Sequence, residues 1–439
     1  MRITEIRVNK LFGVFDHAIS LKNDCGITII IGENGLGKTV ILEAVNAFFD
    51  ADYNFFNSLV FDSFHFYFNN GDVWELTKRK NPDEHLLFIR RTAVENISKK
   101  TKPIKISSIS RTSRKRSKDL DMSSHYLFDQ YSTSIDENEI RERYRFNELR
   151  HLYMNSILDE REKITPPKWF SDGIDKINIK LIETQRIITI KERGSDAYVN
   201  NVNKCSNELV GMILNATKES SAVTSALDST YPNRLIEKLR QGTDDSFEEL
   251  NNALAKLDER RKLLSSVGLV IDIQDSNLLQ LDENQKDLIN LLKLYIDDSH
   301  KKLDPFEGLS KKIQLFKEII NKRFKHKNLE IDQDDGLVFR STFVKDVHFN
   351  FDTILPSKLS SGEQNELILF YKLIFNSQPD DMIIIEEPEL SLHISWQNKF
   401  INDLKDVTAM NSVSIIIATH SPDIINDNWD LKIELAGLE

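Results

Sequence analysis

The sequence predicts an α/β protein built on a mostly parallel sheet, with an antiparallel β-subdomain and an inserted helical arm. Three observations predict it. A glycine loop, Gly32 to Thr39, separates an apolar run from a helix-like segment near the start of the chain. Short apolar runs that end in acids or a histidine return in the C-terminal quarter. Between these ends the composition is first that of hairpins and then that of long helices. The 439 residues carry 58 Lys+Arg against 69 Asp+Glu, a net charge of -11, which excludes general coating of nucleic acid and leaves room only for local contacts. A hydrophobic content of 40%, with 25 Phe but 15 Gly and 10 Pro, excludes global disorder and collagen-like repeats. The expected organisation is residues 1–200, the first part of the α/β head with the β-subdomain and a basic loop; 201–330, the helical arm; and 331–439, the rest of the head.

Along the chain, Ile3, Ile6 and Val8 make a strand-like start, Gly26 to Ile31 a buried strand, and ILEAVNAFF a helix. From Phe64 to Arg91 the aromatic runs HFYF, VWEL and LLFI are separated by Asn69-Asn70-Gly71-Asp72 and Asn81-Pro82-Asp83, the composition of antiparallel hairpins. Residues 99–118 hold nine Lys or Arg and no acid among many serines, which predicts a solvated loop or frayed hairpin. Residues 120–170 read as polar helix stopping at Pro166-Pro167, and INIKLIETQRIITI as a strand carried into a turn. From Asn207 to Lys327 long helices follow, with Leu250, Leu254, Leu257 and Leu264 on one stripe. A helix of about 30 residues reaches about 45 Å, so the arm is stubby. Then come a helix in LSSGEQNELILFYKLIF, a strand in MIII, a helix near SWQNKFINDL, and strands in SIIIA and LKIEL. No run approaches the roughly 18 apolar residues of a membrane span, the start lacks the apolar stretch of a signal peptide, and Cys25 and Cys205 cannot build a disulfide framework or thiolate zinc site. These absences predict a cytoplasmic protein.

Gly32-Glu33-Asn34-Gly35-Leu36-Gly37-Lys38-Thr39 matches the phosphate-loop pattern and lies between a predicted strand and a predicted helix. Glycines there let backbone N–H groups curl around phosphates, Lys38 reaches the outer phosphates, and Thr39 offers a hydroxyl to magnesium. The run Met382 to Ile385 delivers Glu386 and Glu387 at its end, where one acid can hold hydrated magnesium and the other can orient a water and accept its proton. The strand Ser414 to Ala418 ends in Thr419-His420-Ser421-Pro422, which puts His420 at the same edge, able to sense or stabilise a terminal phosphate. Leu359-Ser360-Ser361-Gly362-Glu363-Gln364 opens a helix; taken alone it is a capping sequence, and its free N–H groups also make an anion site. The stretch Lys99 to Lys118 is either a solvated loop or a contact for a polyanion or acidic protein, and it lacks the interleaved aromatics that stack on single-stranded bases.

In this order the four segments resemble the head of the ABC-type ATPase family: Walker A at Gly32 to Thr39, signature at Leu359 to Gln364, Walker B at Met382 to Glu387, and H-loop at His420. Ser361 stands where transporters usually have glycine, and Glu386 where Walker B usually has Asp. Pro388-Glu389-Leu390-Ser391-Leu392-His393 resembles the D-loop of the SMC, RecF and OLD branch, and Gln185 in LIETQR its Q-loop. The resemblance implies ATP and Mg2+ as ligands. Asn34, Gly35, Leu36, Gly37, Lys38 and Thr39 would hold the nucleotide; Thr39, Gln185 and Glu386 would hold the metal; Glu387, His420 and Gln185 would act in hydrolysis. Ser360 and Gly362 would complete the nucleotide site of another subunit, which implies a homo-oligomer; resemblance to the PARIS and Septu ATPase families implies a higher one, of six subunits.

Within the branch, LSSGEQNELILFYKLIF, EEPELSLHISWQ and ATHSPDII resemble antiphage-defence ATPases, those of the AriA family of PARIS first and the PtuA family of Septu next. That implies a slow ATPase that senses infection, through an acidic phage protein or DNA at Lys99 to Lys118, and controls a separate effector. OLD proteins carry a Toprim nuclease after the ATPase, for which the 19 residues beyond His420 leave no room, so the effector, Toprim-like or HNH, is expected on another chain. A RecF-like repair ATPase that clamps DNA, and a scaffold that holds ATP with little turnover, are the alternatives.

Overall fold

The computed structural model describes residues 1–21, 25–80, 85–93, 101–106, 166–182, 188–190, 198–241, 247–270, 286–345 and 349–437. Two compact units interleave along the chain: the first is Met1–Thr184, Gln378–Leu390 and Ser412–Glu439, the second Gln185–Ser377 and Ser391–Asn411. Among the described residues no helix is long and apolar enough to cross a membrane.

The first unit holds two sheets. Strands β1 (Ile3–Leu11), β2 (Phe15–Ser20), β4 (Ser63–Phe68), β5 (Val73–Lys80), β6 (His85–Thr92) and β7 (Ile104–Lys105) form an antiparallel sheet in the order β2-β1-β4-β5-β6-β7. The hairpins read between Phe64 and Arg91 are β4 to β6. In β1 the buried residues are Ile3, Ile6, Val8 and Leu11, a spacing that breaks strict alternation. The pairing with β4 shifts register between Ile3 and Glu5, and the pairing with β2 between Val8 and Leu11. Each irregularity absorbs one residue and keeps the apolar set on one face. Inside the basic stretch, Ile104 and Lys105 pair with β6 and Ile106 is buried; Lys99, Lys100 and residues 107–118 lie outside the described residues.

The second sheet is parallel throughout: β3 (Ile27–Ile31), β8 (Ile179–Ile182), β14 (Met382–Glu386), β15 (Ser414–Ala418) and β16 (Lys432–Glu434), in the order β16-β3-β15-β14-β8. Its three central strands, β3, β15 and β14, are isoleucine-rich and almost wholly buried because both faces are covered, whereas the edge strands β16 and β8 carry lysine or glutamate. Helix α1 (Lys38–Phe49) shares one apolar cluster with Ile6, Phe64, Phe66 and Trp74 of the antiparallel sheet and Ile30, Ile384 and Ile416 of the parallel one. Phe48 stacks on Phe66 at 4.8 Å, so the helix that follows the glycine loop is anchored in this core. Short helices α2 (Phe55–Ser58) and α3 (Lys168–Lys176) border the same cluster.

The second unit starts with the antiparallel pair β9 (Ile188–Ile190) and β10 (Tyr198–Asn200), then α4 (Asn201–Gln241), α5 (Phe247–Ser266), α6 (Lys286–Leu303) and α7 (Glu307–Arg323). Leu250, Leu254 and Leu257 of the predicted stripe join Ile289 and Ile296 of α6 in a small core, and Leu264 is buried too. Helix α4 has 41 residues, with Pro232 in its interior. Sheet β11 (Lys327–Asp332), β12 (Gly336–Lys345), β13 (Phe351–Ile354) is antiparallel, and α8 (Ser361–Phe375) and α9 (Ile394–Asn411) complete the unit. Buried Arg323, at the end of α7, pairs with Glu366 on α8 and Asp403 on α9 and lies 4.6 Å over the Phe370 ring.

Candidate functional site: a phosphate-binding sheet edge

Register brings the predicted residues of the first unit together. Ile30 of β3 is opposite Ala418 of β15, and Ala418 is opposite Glu386 of β14. Three adjacent parallel strands therefore end side by side, and the residues that follow them are the glycine loop, Thr419-His420 and Glu387. Open α/β sheets bind ligands at this carboxyl edge.

Gly32, Gly35 and Gly37 have φ of 156°, 86° and 87°, left-handed backbone that permits the tight curl. At Gly37 the positive φ itself favours glycine, and a Cβ, 2.5 Å from Leu11 Cδ2, would also force that side chain to move. Helix α1 has no side-chain cap and no acid in its first turn, which leaves its positive end free for an anion. Lys38 is 6% exposed and donates to the carbonyls of Gly32 at 2.8 Å and Glu33 at 3.0 Å, so its ammonium sits inside the loop. Burial pulls its pKa below the usual lysine value, and the carboxylates of Glu387 and Glu389 oppose that shift. Asn34 and Gly35 are exposed and Thr39 is half-buried on the first turn of α1.

At the acidic side, Glu386 ends β14 and is 8% exposed. Glu387 follows in left-handed backbone, φ 40°, with its N–H donating to the Ala418 carbonyl at 2.9 Å. For a residue with a Cβ such a conformation costs of order 1–3 kcal/mol and is held only where its surroundings impose it. The Glu389 carboxylate accepts from the His420 N–H at 2.7 Å, while the buried Thr419 N–H donates to the Ile30 carbonyl at 3.1 Å. His420 is exposed at the edge.

Ser360 and Gly362 belong to the second unit. Ser360 caps α8 in a reciprocal box: its hydroxyl accepts from the Glu363 N–H at 3.4 Å, and the Glu363 carboxylate accepts from the Ser360 N–H at 2.9 Å. Lys327 donates to both carboxylate oxygens of Glu363 at 2.7 Å. Burial raises the Glu363 pKa, but Lys327 and Ser360 outweigh it and hold the carboxyl below the usual range. A Cβ on Gly362 would meet nothing within 4 Å among the described residues, so none of their packing calls for glycine there. Gln185 lies outside the described residues.

Two residues at this edge, His17 and Phe12, escape sequence reasoning, and a third, Glu389, is named there only within the D-loop resemblance. Glu389 ties its own loop to the His420 backbone. His17, on β2, bonds the Leu36 carbonyl at 2.9 Å. Phe12, 42% exposed, has a ring carbon 3.2 Å from the place of a Gly37 Cβ, which puts it beside the glycine loop. For Glu389 the run EEPE is a local signal; His17 and Phe12 reach the loop only through the fold.

The lysine, the left-handed glycines and the uncapped helix suit a polyphosphate, and the Thr39 and Glu386 oxygens suit magnesium. The family AAA_15, AAA ATPase domain, matches residues 1–425. No curated protein sequence matches the chain. Similar solved structures include an Smc head bound to the C-winged helix domain of ScpA, at 12% identity and TM-score 0.35, covering 97% of this chain and 91% of that one. An Smc head with an extended coiled coil, bound to the C-terminal domain of ScpA from Pyrococcus furiosus, has 14% identity, the same coverages of 97% and 91%, and TM-score 0.34. The SMC head domain from Thermotoga maritima has 10% identity, coverages of 97% and 93%, and TM-score 0.32.

Proposed function

The chain belongs to the AAA ATPase domain family, and we propose that it binds and hydrolyses Mg-ATP at the sheet edge and acts as the ATPase subunit of an antiphage defence system. The observation that carries the nucleotide reading is the register that ends β3, β15 and β14 side by side with a phosphate loop, His420 and two glutamates. The N–H groups of Asn34 to Thr39 and the Lys38 ammonium bind and orient the phosphates. Glu387 orients a water and takes its proton, with a carboxylate direction set by its left-handed backbone. His420, with its N–H fixed by Glu389, stabilises the terminal phosphate. Thr39, Glu386 and Gln185 would hold Mg2+, which when bound neutralises phosphate charge.

Ser360 and Gly362 complete the nucleotide site of a second copy. The open space at Gly362 and the exposure of Ser360 support this role. A homo-oligomer follows, of six subunits on the resemblance to the PARIS and Septu families, with hydrolysis controlling a separate nuclease or toxin effector. The defence role rests on the motif resemblance to the AriA family of PARIS. Lys38→Ala is expected to abolish Mg-ATP binding, and Ser360→Arg to leave binding intact while abolishing ATP-dependent association in sedimentation velocity. Phage plating with and without the neighbouring effector gene tests the defence reading; protection by this chain alone contradicts it. If duplex DNA stimulates turnover, and neutralising Arg114, Lys115 and Arg116 removes the stimulation, the RecF-like alternative holds instead. If Glu387→Gln retains full protection, the low-turnover scaffold is the better reading.

A further inference from the structure

The phosphate loop rests on the β1–β2 hairpin at two consecutive residues. At Gly37 the contact is steric: φ is +87° and Leu11 Cδ2 stands 2.5 Å from where a Cβ would be. At Leu36 the contact is polar: His17 Nε2 lies 2.9 Å from the main-chain oxygen. That oxygen can only accept, so the geometry requires the proton on Nε2 and fixes the tautomer. The His17 residue is 5% exposed, and its ring stacks on Phe15 with centroids 5.8 Å apart and planes within 15°. Burial pulls the His17 pKa down, against the Leu36 bond and Asp16, which favours the neutral ring with a single donor nitrogen.

The Leu36–Gly37 peptide is trans, so the Leu36 C=O and the Gly37 N–H point in opposite directions. Holding the oxygen toward β2 aims the Gly37 N–H away from β2. Gly37 immediately precedes Lys38, so the direction of its N–H shapes the loop where the lysine enters it. We propose that His17 is a positioning residue for nucleotide: through the Leu36 carbonyl it sets the direction of the Gly37 N–H and so the shape of the phosphate cradle. The proposal rests on the reading of this loop as the ATP site. It adds to that site a donor from a strand outside every motif, fastened to the loop backbone rather than to the ligand. Without it the Leu36–Gly37 peptide can rotate, and binding must pay for re-aiming it.

The test compares two substitutions in the full chain by isothermal titration with Mg-ATP. His17→Phe keeps a buried ring and removes the donor; His17→Gln keeps an amide donor of similar reach. The expected result is a Kd for His17→Phe weaker by roughly tenfold to a hundredfold, the size of an unmade bond to a buried acceptor, with His17→Gln recovering to within about threefold of the parent. Melting temperatures without nucleotide are read in parallel. A lower melting temperature with unchanged Kd assigns His17 to packing alone and overturns the proposal, as does His17→Gln binding no better than His17→Phe. Should His17→Phe fail to fold, His17→Met against His17→Gln makes the same comparison. Lys38→Ala separates the two levels: if it binds Mg-ATP like the parent, the ATP-site reading fails; if it loses binding while His17→Phe does not, only the role of His17 fails.

Discussion

Glu387 is held at φ 40° by a hydrogen bond to β15, directly after the acid that ends β14. In the proposed hydrolysis this carboxylate is the base, held in a fixed direction. Glu387→Gln should bind Mg-ATP normally and release phosphate at least ~100-fold more slowly, read in a steady-state phosphate assay, because the amide cannot take a proton. The Glu363 carboxyl gives a pH prediction. Its folded pKa lies below the ordinary value of 4.5, so its contribution to stability is full above that value and is lost as pH falls through the folded pKa. Lys327→Met should flatten the acid limb of a melting curve below pH 4.5, while Glu363→Gln should remove that group's share of it. Lys38, Thr39, Glu386, Glu387 and His420 were legible in the sequence because each follows a strand end or sits in a spaced motif whose local geometry its neighbours specify. His17 and Phe12 were not, because the register of the β1–β2 hairpin is what carries them to the loop.

Among the elements, β3, β14 and β15 could be bounded in advance because doubly covered parallel strands are continuous apolar runs between polar punctuation. Strand β1 has two register shifts, and no short-range pattern announces how a partner strand absorbs an extra residue. The length of α4 was equally hidden: its 41 residues run through Pro232, a residue that in sequence reads as a stop. Helix α8 is fixed at both levels, by its cap and by a buried ion triad. Ser360→Ala should lower stability by about 1 kcal/mol through loss of the cap, measured by denaturant melting. Arg323→Ala should cost more, about 3–5 kcal/mol, since it leaves Glu366 charged in a site with no exposure. Arg323→Met paired with Glu366→Leu should recover most of that loss in the same measurement.

At the scale of the whole molecule, the chain leaves and re-enters its first unit, so that unit is completed by segments far apart in sequence. Strand β3 is the clearest case: β15 flanks it on one side and β16 on the other. Leu435, just past β16, donates its N–H to the Ile31 carbonyl at 2.9 Å, and its own oxygen stands 3.2 Å from where a Gly32 Cβ would be. Deleting residues 429–439 should therefore lower the melting temperature and weaken Mg-ATP binding together, as read by differential scanning fluorimetry with and without nucleotide. During synthesis Ile27, Ile29 and Ile30 emerge from the ribosome hundreds of residues before either neighbouring strand exists. Until β15 and β16 have been made, the strand that leads into the phosphate loop has two unpaired edges, and nucleotide cannot help it fold.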